Sequence, residues 1–418
     1  MEYGCIGRKL GHSFSAEIHA ALADYDYRLT ELEPQEIEPF FRARQFRGIN
    51  VTIPYKQCIL PLLDVVDDCA AQIGAVNTVV NRDGVLYGYN TDYSGMRALL
   101  AHSHISLSGR HVYILGTGGT SHTARAVATA EGAASVTAVS RKPVSDGTLP
   151  CISYEEMYEN ASSVECIINT TPVGMYPNED AAPVELSRLP ALCGVADAVF
   201  NPLTTRLVRG AMARGIPSAG GLYMLVAQAA RACELFLGRP TAPDAVDRVY
   251  RELYRKKRNF VLVGMPGCGK TTLGARLAQT LGMEFLDCDA LIEAEAGKSI
   301  PDIFREDGEE AFRRMESEII RDRLSRCART VIATGGGAVL RDENVRYLAQ
   351  NGVLVFLDHD RDGLPVLSGR PLCRDPEAWD ALYRERHPVY SAVSDVTVKC
   401  SADMEISFAA LLAAVAEL

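Results

Sequence analysis

Positive charge, paired cysteines and long apolar runs are what this sequence has least of. Its 43 Lys and Arg are outnumbered by 53 Asp and Glu, giving a formal net charge of -10. That balance argues against a general nucleic-acid surface. It leaves room for local basic pockets, because a few well-placed Arg or Lys suffice to hold a phosphate or carboxylate. None of the twelve cysteines forms a CxxC pair, and Cys5, Cys58, Cys69 and Cys151 stand at no metal-ligand spacing. A zinc ribbon or dithiol redox motif is therefore not expected, and reduced cytosolic thiols are. No apolar run reaches the roughly 18 residues needed to cross a bilayer. The opening MEYGCIG has no charged segment leading into an apolar one, so no secretory signal is expected. These absences predict a soluble, cytoplasmic protein that acts on small molecules, with neither membrane nor nucleic acid as partner. They say nothing of oligomeric state.

What is present is ordinary globular composition, 47% hydrophobic and 23% charged over 418 residues. That length suggests roughly two to four domains. The short apolar segments Val112–Leu115, Cys166–Asn169, Phe260–Val263 and Leu354–Leu357 are bounded by Gly, Pro or polar clusters and read as buried parallel strands. Helical patterns such as Thr123–Ala130 and Thr272–Leu281 lie between them. Strand alternating with helix predicts an α/β fold with parallel sheets. The main boundary falls near Gly238–Arg258, where GRPTAPDA precedes DRVYRELYRKKRN, a basic helix whose RKKRN end reads as a solvated linker. A second boundary is expected near residue 105, where HISLSGR precedes a fresh strand.

Two glycine-rich turns carry chemistry. HVYILGTGGTSHTARAVA runs strand, turn, helix. Gly116 permits a tight turn, and Gly118 and Gly119 let backbone and the free N–H groups of a helix start approach a pyrophosphate. The next strand, Ser135–Val139, ends in Ser140, Arg141 and Lys142 where an NAD site would place an acid. A hydroxyl and two cations suit a 2′-phosphate, so NADP is the expected cofactor. Further on, GMPGCGKT at 264–271 follows the apolar strand FVLV and satisfies G-x-x-x-x-G-K-[ST]. There the backbone of Gly264, Gly267, Cys268 and Gly269 would cradle phosphates, Lys270 would reach the outer ones, and Thr271 would bind Mg2+, with ATP the expected nucleotide.

Polar clusters accompany both turns. In the first hundred residues stand Ser13 and Ser15 of GHSFS, Asn50, Thr52 and Lys56 of GINVTIPYK, Asn77 and Thr78 of GAVNTVV, and Asn90, Thr91 and Asp92 of GYNTD. Each alone reads as a turn or strand end. Together they supply the hydroxyls, amides, ammonium and carboxylate that a small polyhydroxylated acid requires. If GHSFS is extended, its two serines share a face. In the second half, DCDA offers Asp287 and Asp289 on alternate positions, one for the metal environment and one for an acceptor hydroxyl. Arg313 and Arg386 can clamp a carboxylate, and the run Gly335, Gly336, Gly337 lets backbone approach a ligand.

On GHSFS, GINVTIPYK, IGAVNTVV, GYNTD, LGTGG, NTTPVGM, FNPLTTRL and GLYMLVAQAA, residues 1 to about 240 resemble shikimate dehydrogenase. The resemblance implies a substrate domain over 1–105 completed by a helix at about 222–238, an NADP-binding Rossmann domain over 106–221, and NADPH-dependent reduction of 3-dehydroshikimate to shikimate. It maps the catalytic pair onto Lys56 and Asp92. Ser13, Ser15, Thr52, Asn77, Asn90 and Gln228 fall on substrate contacts, and Thr170, Met175 and Gly221 near the nicotinamide. On GMPGCGKTT, DCDALIE, SIPDIF, GEEAFRRME, TGGGAV, SGRPL and YRERHPVY, residues 258 to about 400 resemble shikimate kinase. This implies a P-loop α/β domain over 258–418 beyond a linker at 239–257, and ATP-dependent phosphorylation of the shikimate 3-hydroxyl. Asp289 would face that hydroxyl, with Asp287 and Thr271 at the metal. Thr272 and Arg370 would serve ATP, while Arg313, Gly335–Gly337 and Arg386 would hold shikimate.

Three departures from the family patterns stand out. Phe200 replaces a Tyr, His122 interrupts the small residues of a helix start, and the stretch between Leu357 and Arg370 is short, without a second lid Arg. Two other readings of the residues are a quinate-using dehydrogenase on NAD and a non-catalytic repressor-like binding protein. The cations at Arg141 and Lys142 oppose the first. Intact Lys56, Asp92, Lys270 and Asp289 oppose the second.

Overall fold

The computed structural model describes residues 2–10, 14–143, 150–361 and 376–418. The chain divides into two compact units, Met1–Leu253 and Tyr254–Leu418.

The first unit holds two six-stranded sheets. One contains β1 (Tyr3–Gly7), β2 (Tyr27–Glu31), β3 (Gly48–Val51), β4 (Val65–Val66), β5 (Thr78–Arg82) and β6 (Val85–Tyr89), in the order β2-β1-β3-β5-β6-β4. It is mixed. β1 runs parallel to β2 and β3, whereas β5 runs antiparallel to β3 and β6. The β5–β6 hairpin turns through Asp83 and Gly84 at φ 51° and 86°, the positive-φ pair for which Asp-Gly is favoured. β1 and β3 are buried along their whole length, which is why YGCIG and GINV carry no charge.

The other sheet contains β7 (His111–Leu115), β8 (Ser135–Val139), β9 (Cys151–Ile152), β10 (Cys166–Asn169), β11 (Gly194–Asp197) and β12 (Ser218–Ala219), in the order β12-β11-β10-β7-β8-β9, with every pair parallel. Chain order therefore reverses between β7 and β10. In such sheets the crevice beyond the carboxyl ends at that reversal is where ligands bind. Two helices join the sheets into one unit. Thr91–His102 and Leu222–Leu237 pack so closely that a Cβ at Gly95 would lie 2.6 Å from the Met224 carbonyl oxygen. At the far end of the second helix, the Phe236 ring occupies the space a Cβ at Gly48 would take.

The segment 239–257 is largely helical, over Ala245–Lys257, and buries Ala245, Val249 and Leu253. Tyr223 Oη donates to Asp247 Oδ1 at 2.8 Å. The basic end is not uniformly solvated. Arg255 and Lys256 are exposed, but Arg258 is 7% exposed, because it leads directly into a buried strand.

The second unit is built on β13 (Asn259–Val263), β14 (Glu284–Asp287), β15 (Thr330–Ala333), β16 (Gly352–His359) and β17 (Val396–Cys400), all parallel in the order β14-β15-β13-β16-β17. β13 is buried throughout and lies at the centre of the sheet. The loop after it is thereby set on a rigid base. Expected and observed strands agree to within a residue, except that β16 extends beyond Leu354–Leu357 at both ends.

Candidate active sites

In the first sheet of the first unit, Asn50 is the last residue but one of β3, and Thr52 follows the strand, tied by its N–H to the Ile6 carbonyl at 3.0 Å. Lys56 lies in the next turn, and its carbonyl accepts from Val76 N–H at 2.8 Å. Asp92 comes from elsewhere, from the first turn of the helix Thr91–His102, where a carboxylate also meets the positive end of the helix dipole. Lys56 Nζ donates to Asp92 Oδ2 at 2.6 Å, with the two side chains 22% and 14% exposed. A partly buried ammonium is thus oriented by one carboxylate and keeps two further N–H bonds for other acceptors.

The amides around this pair are structurally engaged. Asn77 Oδ1 accepts from Thr91 N–H at 2.7 Å and from Thr78 Oγ1 at 3.1 Å. Asn90 caps the helix by accepting from Tyr93 N–H, and its Nδ2 donates to the Ala75 carbonyl at 2.9 Å. Thr91 Oγ1 donates to Gln228 Oε1 at 3.3 Å, so Gln228 reaches this cluster from the helix Leu222–Leu237. Asn77 and Gln228 are therefore joined through Thr91, the chain neighbour of both Asn90 and Asp92, so the amides and the Lys56–Asp92 pair meet at one helix start. Ser15 differs from the extended reading: it opens the helix Ser15–Leu22, because the chain turns helical directly after Phe14. Ser13 lies outside the described residues. Phe200 packs edge-on against Phe14, ring centroids 5.9 Å apart.

At the reversal point of the second sheet, Gly116 follows β7 with φ 103°, and a Cβ there would lie 3.0 Å from Thr170 Oγ1. Thr170 follows β10 and donates its hydroxyl to the Leu115 carbonyl at 2.7 Å. Gly118 and Gly119 open the helix Gly119–Ala130, and a Cβ on either would meet nothing within 4 Å. Free N–H groups beside open space are what a pyrophosphate requires. Arg141 and Lys142 are exposed beyond β8, where Lys142 N–H donates to Ser140 Oγ at 3.3 Å. Met175 is exposed. Gly221 is held by packing, since a Cβ would lie 2.3 Å from the Ala198 carbonyl oxygen. His122 is half-buried on the helix.

A buried network beneath this crevice escaped the sequence reading. Asn169 Nδ2 donates to Asp197 Oδ1 at 2.9 Å, Val199 N–H to the same oxygen at 3.0 Å, and Thr205 Oγ1 to Asp197 Oδ2 at 2.7 Å. Burial pushes the Asp197 carboxyl up to about 6, against these three bonds, which favour the anion. The network fixes the loops after β10 and β11. Its only signal in the sequence was an acid ending an apolar strand, GVAD.

In the second unit the phosphate loop has positive φ at Gly264, Gly267 and Gly269 (146°, 81° and 87°). Lys270 opens the helix Lys270–Leu281, and its Nζ donates back to the Gly264 and Met265 carbonyls, each at 2.9 Å. Thr271 Oγ1 donates to Asp287 Oδ2 at 2.7 Å. The DCDA segment is not extended as expected. Asp287 caps the helix Cys288–Ala296 by accepting from Asp289 and Ala290 N–H through Oδ1, which draws Asp289 into the first helical turn. The hydroxyl–carboxylate pair Thr271–Asp287 is a hard oxygen set of the kind Mg2+ prefers. Thr272 is exposed in the same turn as Thr271.

Facing that loop, the glycine run is where four residues converge. A Cβ at Gly335 would lie 2.6 Å from Glu316 Oε1 and 2.9 Å from Asp289 Oδ1. One at Gly336 would lie 3.0 Å from Pro266, and one at Gly337 2.3 Å from Arg313 Nη2. Arg313 is 9% exposed and donates through Nη1 to Glu316 Oε2 at 2.8 Å. Burial opposes the charge on Arg313, but Glu316 and Glu309 outweigh it and hold the guanidinium above its ordinary range. Arg386, on the helix Pro376–Val393, is 5% exposed, and its Nε has no hydrogen-bond partner among the described residues. Two buried guanidiniums that both act on Glu316, one of them against the glycine run, can receive a small carboxylate. Glu316 was not singled out from sequence, although it stands three residues after Arg313, the spacing of a helical ion pair. Arg370 and most of the short lid lie outside the described residues. Arg361 is ion-paired with Asp380.

Among the described residues no group of three or more His, Cys, Asp or Glu could hold a metal ion, and no helix is long and apolar enough to cross a membrane.

Comparison with known proteins finds a match in each unit. Residues 5–79 match the shikimate dehydrogenase substrate binding domain, and residues 266–416 match shikimate kinase. A shikimate dehydrogenase (NADP(+)) of Clostridium perfringens is 34% identical over 265 residues, spanning 60% of this chain and 97% of that protein. One of Moorella thermoacetica is 36% identical over 270 residues, spanning 59% and 91%. Among solved structures, a chorismate mutase/shikimate 5-dehydrogenase fusion protein from Clostridium acetobutylicum superposes with a TM-score of 0.58 at 32% identity, over 61% of this chain and 97% of its own. The shikimate 5-dehydrogenase of Thermus thermophilus, solved with NADP(H) and shikimate, does so at 0.54 and 29%, over 60% and 99%.

Proposed function

Because the chain belongs to the shikimate dehydrogenase family and continues into a shikimate kinase domain, we propose that it is a bifunctional enzyme, reducing 3-dehydroshikimate to shikimate and then phosphorylating the shikimate 3-hydroxyl. The observation that carries this reading is the Lys56–Asp92 pair at 2.6 Å, in a chain that also holds a complete phosphate loop.

NADPH, when bound, supplies a hydride to the ketone carbon. Its pyrophosphate fits the open space at Gly118 and Gly119, and its 2′-phosphate fits Ser140, Arg141 and Lys142. The protein's own task is the oxygen. Lys56 Nζ donates a proton to the carbonyl oxygen as charge develops there, and Asp92 Oδ2 keeps the ammonium aimed and compensates its charge. Asn77, Asn90 and Gln228, together with Ser13, Ser15 and Thr52, orient the ring hydroxyls and carboxylate. Thr170, Met175 and Gly221 would border the nicotinamide.

ATP supplies the phosphoryl group in the second reaction. The loop Gly264–Thr271 and Lys270 would hold its phosphates, with Thr272 in the same turn as Thr271, and Thr271 and Asp287 would suit its Mg2+; a contact from Arg370 to the phosphates is part of the proposal. Arg313, Arg386 and the backbone of Gly335–Gly337 fix the acceptor's carboxylate and ring, so that its 3-hydroxyl faces Asp289. Asp289 accepts the hydroxyl proton, and the remaining contribution is positioning and charge neutralisation.

One coupled assay tests both halves. With 3-dehydroshikimate, NADPH, ATP and Mg2+, NADPH should disappear and shikimate 3-phosphate accumulate. NADPH loss without the phosphate ester refutes the kinase half, and no NADPH loss refutes the dehydrogenase half.

A further inference from the structure

At the opposite end of the second unit's sheet from the phosphate loop, a cavity of about 280 Å³ is lined by Arg255, Arg258 and Arg329, by Phe260, Leu281 and Met283, and by Leu418 and the carboxyl-terminal end of the helix Met404–Ala416. Its position follows from chain direction. Arg258, Met283 and Arg329 immediately precede β13, β14 and β15, which are parallel. They therefore share the amino edge of the sheet, while the nucleotide loop leaves its carboxyl edge. The volume is just below the roughly 300–1,000 Å³ of drug-sized ligand sites, which limits the site to a small molecule.

Three guanidiniums line this cavity in a chain of net charge -10; Arg255 and Arg329 are exposed and Arg258 is buried, and none of them is in an ion pair among the described residues. Arg258 is the sharpest case. It is 7% exposed, and its Nη1 is buried with no hydrogen-bond partner. Its guanidinium lies 4.6 Å from the Phe260 ring centre and 5.6 Å from that of Tyr254. Burial and the neighbouring Arg255 both disfavour its charge. Aromatic faces offset part of that cost, but they leave N–H donors unmet, and a buried donor without an acceptor is destabilising. Arg329 uses one donor, Nε, on the Gly282 carbonyl at 3.3 Å, leaving its Nη atoms without a partner among the described residues.

We propose that this cavity is a second ligand site, which takes a small organic carboxylate with a compact apolar body. The guanidinium forks match a carboxylate, and Phe260, Leu281, Met283 and Val415 match the apolar part. Free phosphate lacks a group to fill that apolar wall. The site is separate from the catalytic groups, yet the helix Lys270–Leu281 has Lys270 at its phosphate-loop end and Leu281 at the cavity.

The test uses the full chain, with benzoate as probe and benzamide and inorganic phosphate as controls, read by calorimetry and by ligand-observed NMR. Benzoate should bind with a millimolar or tighter Kd, and benzamide and phosphate at least about tenfold more weakly. Arg258→Met should weaken benzoate about tenfold or more and leave phosphoryl transfer unchanged. Because that buried variant can fail to fold, Arg329→Met is the parallel test, with the same expected loss. Arg313→Met, in the proposed acceptor site, should leave this binding intact. No benzoate binding at about 20 mM, equal binding of benzamide, tighter binding of phosphate, or loss with Arg313→Met but not with Arg329→Met would overturn the proposal.

Discussion

The Lys56 ammonium and the Asp92 carboxylate meet at 2.6 Å although 36 residues separate them in the chain. Lys56 comes from the turn after β3 and Asp92 from a helix start. Their meeting is a product of the mixed sheet, which brings β3, β5 and β6 side by side.

Replacing Lys56 by Ala should therefore remove the proton donor and leave the cofactor crevice intact. Turnover of 3-dehydroshikimate is expected to fall roughly 100- to 10,000-fold, with the Kd for NADPH and the kinase rate unchanged. Steady-state kinetics and a cofactor titration on the same preparation check this, and turnover within tenfold of the parent would remove Lys56 from the role.

In the second unit, Gly337→Ala puts a methyl group where Arg313 Nη1 and Nη2 now lie, 2.4 and 2.3 Å from the ideal Cβ position. Arg313 cannot withdraw freely, because Glu316 holds it from the buried side. The KM for shikimate should rise about tenfold, the loss of one charge-assisted contact, while the KM for ATP stays the same. An equal change in both constants would point to a general disturbance of the unit.

Asp197→Ala leaves Asn169, Thr205 and the Val199 N–H without their shared acceptor. Denaturant unfolding should show a loss of about 3 kcal/mol, and NADPH should bind more weakly because the loops after β10 and β11 lose their tie. Unaltered stability would mean that water replaces the carboxylate.

His19 gives a pH test. It is 1% exposed, stacks on Tyr27 with ring centres 3.9 Å apart, and contacts Tyr25 Oη at 2.5 Å. Burial lowers its pKa from 6.5 to about 3. In the unfolded chain His19 takes up a proton near 6.5, while the folded chain resists until about 3. Its contribution to stability is thus fully present above 6.5 and is lost progressively as pH falls towards 3, with a limiting slope of about 1.4 kcal/mol per pH unit. The stability difference between the parent and His19→Phe, followed by urea unfolding at several pH values, should narrow with that slope. A constant difference across the window would refute it.

The parts of this molecule legible in its sequence are those set by local pattern. The turn at Gly116–Gly119 and the loop at 264–271 each follow an apolar strand and open a helix, so the structure adds geometry there and no surprise. The β13 strand was equally plain, as was the helix after it. What escaped was set by contact across distance. Asp197 meets Asn169 from 28 residues away, and nothing in GVAD says which loop it will tie. Asp287 and Asp289 look like alternate residues of a strand until the cap bends the chain into a helix. Arg258 stands in a run of cations that reads as solvated, and only the burial of β13 behind it takes it out of water.

The ammonium of Lys270 rests on two carbonyls of its own loop. A free lysine would lose up to about 2 kcal/mol of rotamer freedom on being fixed, and here that ordering occurs when the unit folds. Capture of a triphosphate then becomes an exchange of acceptors within a shape already in place. Arrival should accordingly be governed by diffusion and charge, with nucleotide discrimination expressed in how long the complex lasts.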